Sequence, residues 1–174
     1  MPIEPTKSIW MNGELIPWDE AKIHVLTHTL HYGTGVFEGI RAYETSDGPA
    51  IFRLKEHMDR LINSAKILSI PMPYTSEELQ EAAKQVVRDS GLSSCYIRPI
   101  AYYGYGEMGL ATTDCKVDVA IACWPWGAYL GEDDIVRFED KFGNLTDPNS
   151  TEPGRKICTV ALDDLKISSK SYPD

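Results

Sequence analysis

An Asn-Gly pair flanked by apolar residues constrains the fold more than any other local feature of this sequence. Asn12-Gly13 lies between the apolar runs 9–11 and 15–16. Both central residues of a two-residue turn with the right twist need positive φ angles, which Asn and Gly tolerate, so the segment predicts a tight β-hairpin. A second hairpin is predicted from Val36 to Leu54, where 39–43 and 50–54 flank the turn residues 46–49. The chain therefore starts as an antiparallel sheet.

Two segments with helical periodicity follow the second hairpin. The first places its apolar residues on one stripe through spacings of three and four, namely Met58, Leu61, Ile62, Ala65 and Leu68. The second begins with the capping-box pattern of residues 75–78 and ends at Gly91, and its stripe comprises Leu79, Ala82, Ala83, Val86 and Val87. Further strands are predicted at 95–103 and 117–124. The predicted fold class is α+β, an antiparallel sheet with two helices packed on one face.

Composition and charge bound both the domain organisation and the possible partners. With 174 residues and an apolar fraction of 43%, the chain can form a hydrophobic core. We expect a boundary near 131, with a small domain over 1–131 and an irregular or incomplete part over 132–174, which is rich in charges and turn residues. The net charge of −9 argues against nucleic acid as a partner. No apolar stretch is long enough for a membrane helix and no leader is evident, so we expect a cytoplasmic protein.

Cysteine and histidine patterns give little support for a metal site. The four cysteines form no C-x-x-C pair and are interpreted as reduced structural thiols. The run from His28 to Gly35 offers His28 and His31 as metal ligands, or Gly33 and Gly35 as a phosphate cradle. A metal would need further ligands at suitable spacing, and G-x-G alone is common in plain turns. No metal site is predicted.

Two arginines at strand positions are the strongest candidates for binding. The strand 95–103 places Arg98 on one face with Tyr96, Ile100 and Tyr102, and the first arm of the second hairpin places Arg41 on one face with Phe37, Gly39 and Tyr43. A buried guanidinium without an anion is costly, so these faces could line a pocket for a small carboxylate with an apolar tail. Alternatively, both arginines lie at strand ends and pair with local glutamates or solvent.

A run of aromatic residues follows the last predicted strand. Residues 124–129 read Trp-Pro-Trp-Gly-Ala-Tyr. By themselves these side chains could fill a core or form a rim around a ligand, because aromatic side chains serve both purposes.

Five ordered segments together form a recognisable signature. They are His31-Tyr32-Gly33-Thr34-Gly35-Val36-Phe37-Glu38-Gly39-Ile40-Arg41, Phe52-Arg53, His57-Met58-Asp59-Arg60-Leu61, Tyr96-Ile97-Arg98-Pro99 and residues 125–131. In this order they closely resemble the branched-chain amino acid aminotransferases, class IV (fold type IV) enzymes that use pyridoxal 5′-phosphate. The resemblance covers about residues 8–131 and implies that this part is the small N-terminal domain of the family.

The resemblance also implies a function and roles for individual residues. The implied reaction is transamination of leucine, isoleucine and valine with 2-oxoglutarate or glutamate, with the cofactor in the cleft between the small domain and a larger one. Arg60 would hold the cofactor phosphate, and Arg41 and Arg98 would position carboxylate groups. The substrate side chain would be surrounded by Phe37, Gly39, Tyr96, Trp126 and Tyr129. Tyr32 and the loop 106–110 would reach into the site of a neighbouring subunit, which makes a homo-oligomer the expected state.

The segment after 131 departs from the family pattern. The Ala-Lys-x-x-Gly-x-Tyr context of the family's Schiff-base lysine is missing, although Lys156 follows a Pro-Asn stretch at a similar distance. Lys156 is therefore either a residual Schiff-base lysine or a surface lysine near a turn. The expected function is a partial aminotransferase chain, inactive without a lysine-bearing domain. The alternative is a non-catalytic dimerisation or regulatory module of a full-length aminotransferase.

Overall fold

A computed structural model describes residues 3–110 and 115–125. Within them, the seven strands are β1 (Ser8–Met11), β2 (Glu14–Pro17), β3 (Gly35–Phe37), β4 (Ile40–Thr45), β5 (Gly48–Ile51), β6 (Cys95–Tyr103) and β7 (Val117–Trp124). The α-helices are α1 (His28–Tyr32), α2 (Leu54–Ile67) and α3 (Ser76–Ser90), and a 3₁₀ turn covers Trp18–Glu20. The predicted class, an antiparallel sheet with two longer helices, is confirmed.

The strands form one antiparallel sheet in the order β2-β1-β7-β6-β4-β5, with β3 also paired to β6. The first hairpin turns at Asn12 and Gly13, whose φ angles of 51° and 104° match the prediction. The long pairing of β6 with β7 runs from Tyr96 opposite Trp124 to Tyr103 opposite Val117. This central pair fixes which side chains share a face, since alternate residues point to opposite sides of a sheet.

The two longer helices cover one face of the sheet and enclose the core. All five predicted apolar positions of α3 are buried, and the capping box at its start and the end at Gly91 are present. In α2 the buried residues are Leu54, Met58, Leu61 and Ala65. They pack with the inward residues of the central strands, Cys95, Ile97, Ala101, Val119, Ile121 and Cys123. The opposite face of the sheet, here called the open face, carries Phe37, Tyr96 and Arg98.

Two details differ from the sequence expectations. Leu68 was predicted on the buried stripe of α2 but is 49% exposed, because the helix ends at Ile67 and a positive φ at Ser69 turns the chain so that Ile70 enters the core instead. The first arm of the second hairpin is divided into β3 and β4. Pro99 lies opposite the break, where Glu38 N–H donates to its carbonyl; without an N–H, Pro99 returns no ladder bond.

None of the helices in the described ranges is long and apolar enough to cross a membrane. The predicted boundary near 131 and the whole of 132–174 lie outside the described residues.

Candidate functional site

Arg98 lies at the centre of the open face of the sheet, between two aromatic rings. Its guanidinium carbon is 4.3 Å from the centroid of the Phe37 ring and 5.2 Å from that of the Tyr96 ring. One terminal nitrogen donates to the Tyr96 hydroxyl at 2.7 Å. The buried Nε has no hydrogen-bond partner among the described residues. Because an unpaired buried N–H of a cation is costly, this arrangement is suited to receive an anion.

Gly39 provides the space that Tyr96 occupies. A methyl group added at Gly39 would overlap the Tyr96 hydroxyl and would lie 3.2 Å from the ring carbon that bears it. The Tyr96 ring also packs against Trp124, with 5.0 Å between the ring centroids. The structure therefore brings together four of the predicted residues, Phe37, Gly39, Tyr96 and Arg98.

An apolar cavity of about 310 Å³ adjoins Arg98 on the same face. Its floor consists of alternate residues of the central strands, and α1 and the segment before it form the other side; the lining includes Ile9, Ile23, Leu30, Ile100, Tyr102 and Ala120. Burial, with a further contribution from the Asp118 carboxylate, raises the pKa of Tyr102 to about 12, so its phenol is neutral at physiological pH. The cavity joins one cationic group to an otherwise uncharged lining, as suits an aliphatic carboxylate.

Arg41 is on the same face but is exposed. It lies directly across from Tyr96 in the register of β4 and β6, and its guanidinium carbon is 5.6 Å from the centroid of the Tyr43 ring. The alternation predicted for Phe37, Gly39, Arg41 and Tyr43 is confirmed, since these four positions are exposed on the face opposite the core while the residues between them are buried. Arg41 extends the positive character of this face toward solvent.

Arg60 belongs to a second cluster, which is built around Glu38. The carboxylate of Glu38, a residue only 6% exposed, accepts hydrogen bonds from Nε and Nη2 of Arg60, both at 2.6 Å. His57 Nδ1 lies 2.9 Å from the same carboxylate. Because a carboxylate oxygen can only accept, Nδ1 carries the proton in this contact. Arg60 is thereby joined to the segment that carries Phe37 and Gly39.

The electrostatics of this cluster favour an ionised pair. Burial, the largest single effect, would raise the pKa of the Glu38 carboxyl. The hydrogen bonds from Arg60 and His57, with the positive charge of Arg60, outweigh it and hold that pKa below the ordinary value of 4.5. The hydrogen bonding to Glu38 raises the pKa of Arg60. The Arg60 side chain remains 64% exposed, so part of its guanidinium faces solvent.

Tyr32 lies at the end of α1, against a buried histidine. The ring centroids of Tyr32 and His28 are 4.4 Å apart. His28 Nε2 donates to the carbonyl of Gly109 at 2.7 Å, and its Nδ1 lies 2.8 Å from the Thr34 hydroxyl. Tyr32 and the loop that contains Gly109 are thus held in one unit through His28.

The remaining sequence candidates are histidines, cysteines and three residues beyond Pro125. Within residues 3–110 and 115–125 no cluster of three or more potential metal ligands occurs, and His31 Nε2 donates instead to the Val25 carbonyl. Cys95, Cys115 and Cys123 are free and buried. Trp126, Tyr129 and Lys156 lie outside the described residues, so their predicted roles stay predictions.

Glu38, His57 and the anchoring role of His28 were not predicted from the sequence. The strand alternation in the sequence was sufficient to predict that Glu38 is buried. Phe37, Gly39 and Arg41 were assigned to one face, which places Val36, Glu38, Ile40 and Ala42 on the core face. A glutamate among apolar core positions requires a cationic or hydrogen-bonding partner. Nothing local in the sequence identifies that partner as Arg60, because it lies 22 residues further along the chain.

Comparisons with known proteins agree with this geometry. Residues 35–165 match the family model described as amino-transferase class IV. A branched-chain-amino-acid aminotransferase of Pseudomonas aeruginosa is 55% identical over 125 residues, which are 72% of this chain and 41% of the relative. The Escherichia coli K12 protein of the same name is 42% identical over 167 residues, or 94% of this chain and 54% of the relative. The chain therefore spans about half the length of these curated relatives.

A solved structure shows the same fold in part of its length. The T.th. branched-chain amino acid aminotransferase, complexed with N-(5′-phosphopyridoxyl)-L-glutamate, superimposes with a TM-score of 0.68 at 56% sequence identity. The match covers 72% of this chain and 42% of that chain. The family model matches well over half of the chain, and the arginine and aromatic residues of the signature meet on one sheet face. The chain belongs to the class IV aminotransferase family.

Proposed function

We propose that this chain forms one wall of the active site of a branched-chain amino acid aminotransferase. The observation that carries the proposal is the Arg98 guanidinium, which lies between Phe37 and Tyr96 with its Nε unpaired among the described residues. The guanidinium adjoins a cavity whose lining holds no acidic side chain, and in this proposal it receives the carboxylate of the substrate. The adjoining cavity of about 310 Å³ offers apolar surface for a short aliphatic side chain.

In this proposal the residues of the open face orient the substrate. Arg98 and the Tyr96 hydroxyl bind a carboxylate, and the exposed Arg41 offers a second cation for the additional carboxylate of glutamate or 2-oxoglutarate. Phe37 packs against the aliphatic part, and the absence of a side chain at Gly39 leaves room for the Tyr96 hydroxyl. Shape alone discriminates leucine from valine by only about 1–3 kcal/mol per methylene, so acceptance of all three branched-chain substrates is expected.

The cofactor of the proposed reaction is pyridoxal 5′-phosphate, and the residues present fit one part of it. Arg60 is the candidate for its phosphate, because its guanidinium is fixed on one side by Glu38 and exposed on the other. When bound, the cofactor supplies an electron-withdrawing ring that makes the α-proton of an amino acid acidic. This chain's part is to hold the phosphate and the substrate carboxylate in fixed positions. Trp126 and Tyr129 keep their predicted places around the substrate side chain in this proposal, and both alternatives for Lys156 stay open.

The proposed assembly is a homo-oligomer in which Tyr32 and the loop 106–110 face a second copy. Several large apolar side chains are exposed on α1, in this loop and directly before it, namely Leu30, Tyr32, Tyr105, Met108 and Leu110. Exposed apolar residues grouped in this way favour association. The location predicted from the sequence, the cytoplasm, is kept in the proposal. Free thiols at Cys95, Cys115 and Cys123 suit such a reducing compartment.

The test is a transaminase assay of a polypeptide that carries this sequence together with a lysine-bearing domain. With pyridoxal 5′-phosphate and 2-oxoglutarate, we expect turnover of leucine, isoleucine and valine, and a loss of at least about 100-fold in kcat/KM in Arg98→Gln, because the carboxylate loses its charged partner. Lys66→Gln on α2, outside the site, is the matched control. Turnover restricted to unbranched polar amino acids, or an Arg98→Gln variant as active as the parent, would refute the proposal.

A further inference from the structure

Glu38 occupies an unusual position in the strand segment that carries the site. Its neighbours in the chain, Phe37 and Gly39, lie on the open face, whereas its own side chain points to the helical side and is 7% exposed. A carboxylate at such a position lowers the stability of the fold unless it is fully paired. Both of its oxygens are in fact paired, to Arg60 and His57.

The pairing with Glu38 holds one edge of the Arg60 guanidinium and leaves its Nη1 available to bind another group. Nε and Nη2 donate to the two carboxylate oxygens in a bidentate arrangement, and Nη1 takes no part in this contact. His57 donates to Oε2 and fixes the orientation of the carboxylate from the side of α2. The Arg60 side chain is otherwise 64% exposed and, without Glu38, would sample many rotamers.

We propose that Glu38 is a positioning residue for anion binding by Arg60. It holds the guanidinium plane so that the N–H groups of Nη1 face the phosphate of an incoming phosphorylated ligand, and His57 holds Glu38 in turn. The inference rests on the proposed function, which assigns the phosphate to Arg60.

Charge alone does not explain the arrangement. A carboxylate beside Arg60 cancels part of the positive charge and so weakens the attraction for an anion at long range. What Glu38 contributes is order, because a long side chain that is already immobilised loses less entropy when it binds. For one such side chain the expected gain in affinity is about threefold to tenfold.

The substitution Glu38→Asp separates geometry from charge. It keeps the carboxylate and shortens its reach by one methylene, so the bidentate contact with Arg60 cannot form. The 174-residue chain, labelled with ¹⁵N, is titrated with inorganic phosphate at constant ionic strength, and the amide signals of α2 and the Arg60 Nε–H signal are followed. Arg60→Lys assigns the side-chain signal. Glu44→Asp, on the exposed part of β4, is the matched control.

We expect Glu38→Asp to weaken phosphate binding about threefold to tenfold and Glu44→Asp to leave it unchanged. In an Arg60→Lys background, Glu38→Asp should have no further effect, because its action passes through Arg60. Equal phosphate affinity of Glu38→Asp and the parent, or an equal loss in both backgrounds, would overturn the role of Glu38 alone. Amides of α2 that do not respond to phosphate in the parent would overturn the phosphate role of Arg60 itself.

A second variant keeps the inference testable if Glu38→Asp does not fold. Glu38→Gln retains the length and shape of the side chain but presents an N–H group toward one of the donors. The Arg60 Nε–H signal, protected in the parent by its acceptor, should then be lost to solvent exchange near neutral pH. A signal that persists in Glu38→Gln would contradict the arrangement on which the inference depends.

Discussion

The substitution Gly39→Ala tests the packing of the open face most directly. The backbone at Gly39 is not in the left-handed region, so alanine is tolerated by the chain itself. The added methyl group would, however, overlap the Tyr96 hydroxyl. The ring cannot simply retreat, because it packs on Trp124 and its hydroxyl accepts a hydrogen bond from Arg98. We therefore expect the Tyr96 ring to rotate and to lose its contact with Arg98.

The magnitude follows from the contacts that are lost. A hydrogen bond to a charged group contributes about 1.5–3 kcal/mol, and a tilted aromatic pair adds about 0.5–1.5 kcal/mol. The lower entropy of the unfolded chain returns about 0.4–1 kcal/mol when glycine becomes alanine. Together these contributions give an expected loss of about 1–4 kcal/mol in the free energy of unfolding.

Urea denaturation followed by circular dichroism measures this loss, with the slope m compared between variants. Gly109→Ala is the matched control, because a methyl group at Gly109 meets nothing within 4 Å. Its expected effect is between zero and a stabilisation of about 0.4–1 kcal/mol. Near-ultraviolet circular dichroism should change in Gly39→Ala alone, since the environment of Tyr96 and Trp124 changes there.

A double-mutant cycle decides whether the Tyr96 hydroxyl is the cause. In Tyr96→Phe the atom that overlaps the new methyl group is gone, and the nearest remaining ring atom lies 3.2 Å away. Gly39→Ala should therefore cost less than half as much in this background as in the parent. An equal cost in both backgrounds, or no cost in the parent, would refute the reasoning.

Three further predictions concern the Glu38 cluster, the cap of α3 and the core. The pKa of Glu38 is lowered in the folded state, so its contribution to stability is complete above its ordinary pKa of 4.5 and is lost as the pH falls below it. The stability difference between the parent and Glu38→Gln should shrink in acid unfolding curves below that pH, and a constant difference would contradict the ion pair. Thr75→Ala removes the acceptor of the Glu78 N–H and should cost about 1 kcal/mol in urea unfolding; a neutral effect would exclude the cap. Met58→Ala in the fully buried core should cost about 2–5 kcal/mol by the same measurement, whereas Ile67→Ala, 81% exposed, should cost little, and similar losses would contradict the assigned helix face.

The fold could be predicted well because its elements carry local signals. The capping box before α3, the Asn12-Gly13 turn and the alternation in β6 each act within a few residues, and all three are present. The prediction that Leu68 is buried was wrong because helical periodicity does not indicate where a helix ends. A backbone turn at Ser69 decides that position, and no residue there has a strong preference for positive φ.

The sequence predicted which residues of the candidate site share a face of the sheet, but it did not predict which side chains are in contact. Alternation along β6 placed Arg98 and Tyr96 together, and the resemblance named the same residues. Neither the alternation nor the resemblance indicated that Phe37 covers the Arg98 guanidinium, because that contact depends on the register between β3 and β6. The pairing of Glu38 with Arg60 also depends on tertiary structure, since it requires α2 to pack beside the end of β3.

The segment Phe37–Gly39 explains how one sheet can serve two anionic groups. Successive residues of a strand face opposite sides, so Phe37 and Gly39 shape the surface around Arg98, while Glu38 reaches through to Arg60 on the helical side. Pro99, opposite Glu38, withholds one ladder hydrogen bond at this point and so divides β3 from β4. A shift of this segment by one residue would turn Phe37 and Glu38 to the opposite faces of the sheet, and would separate Arg98 from the Phe37 ring and Arg60 from its carboxylate partner. An insertion of one alanine after Val36 should therefore abolish phosphate binding and carboxylate binding together, whereas either substitution described above should affect only one of them.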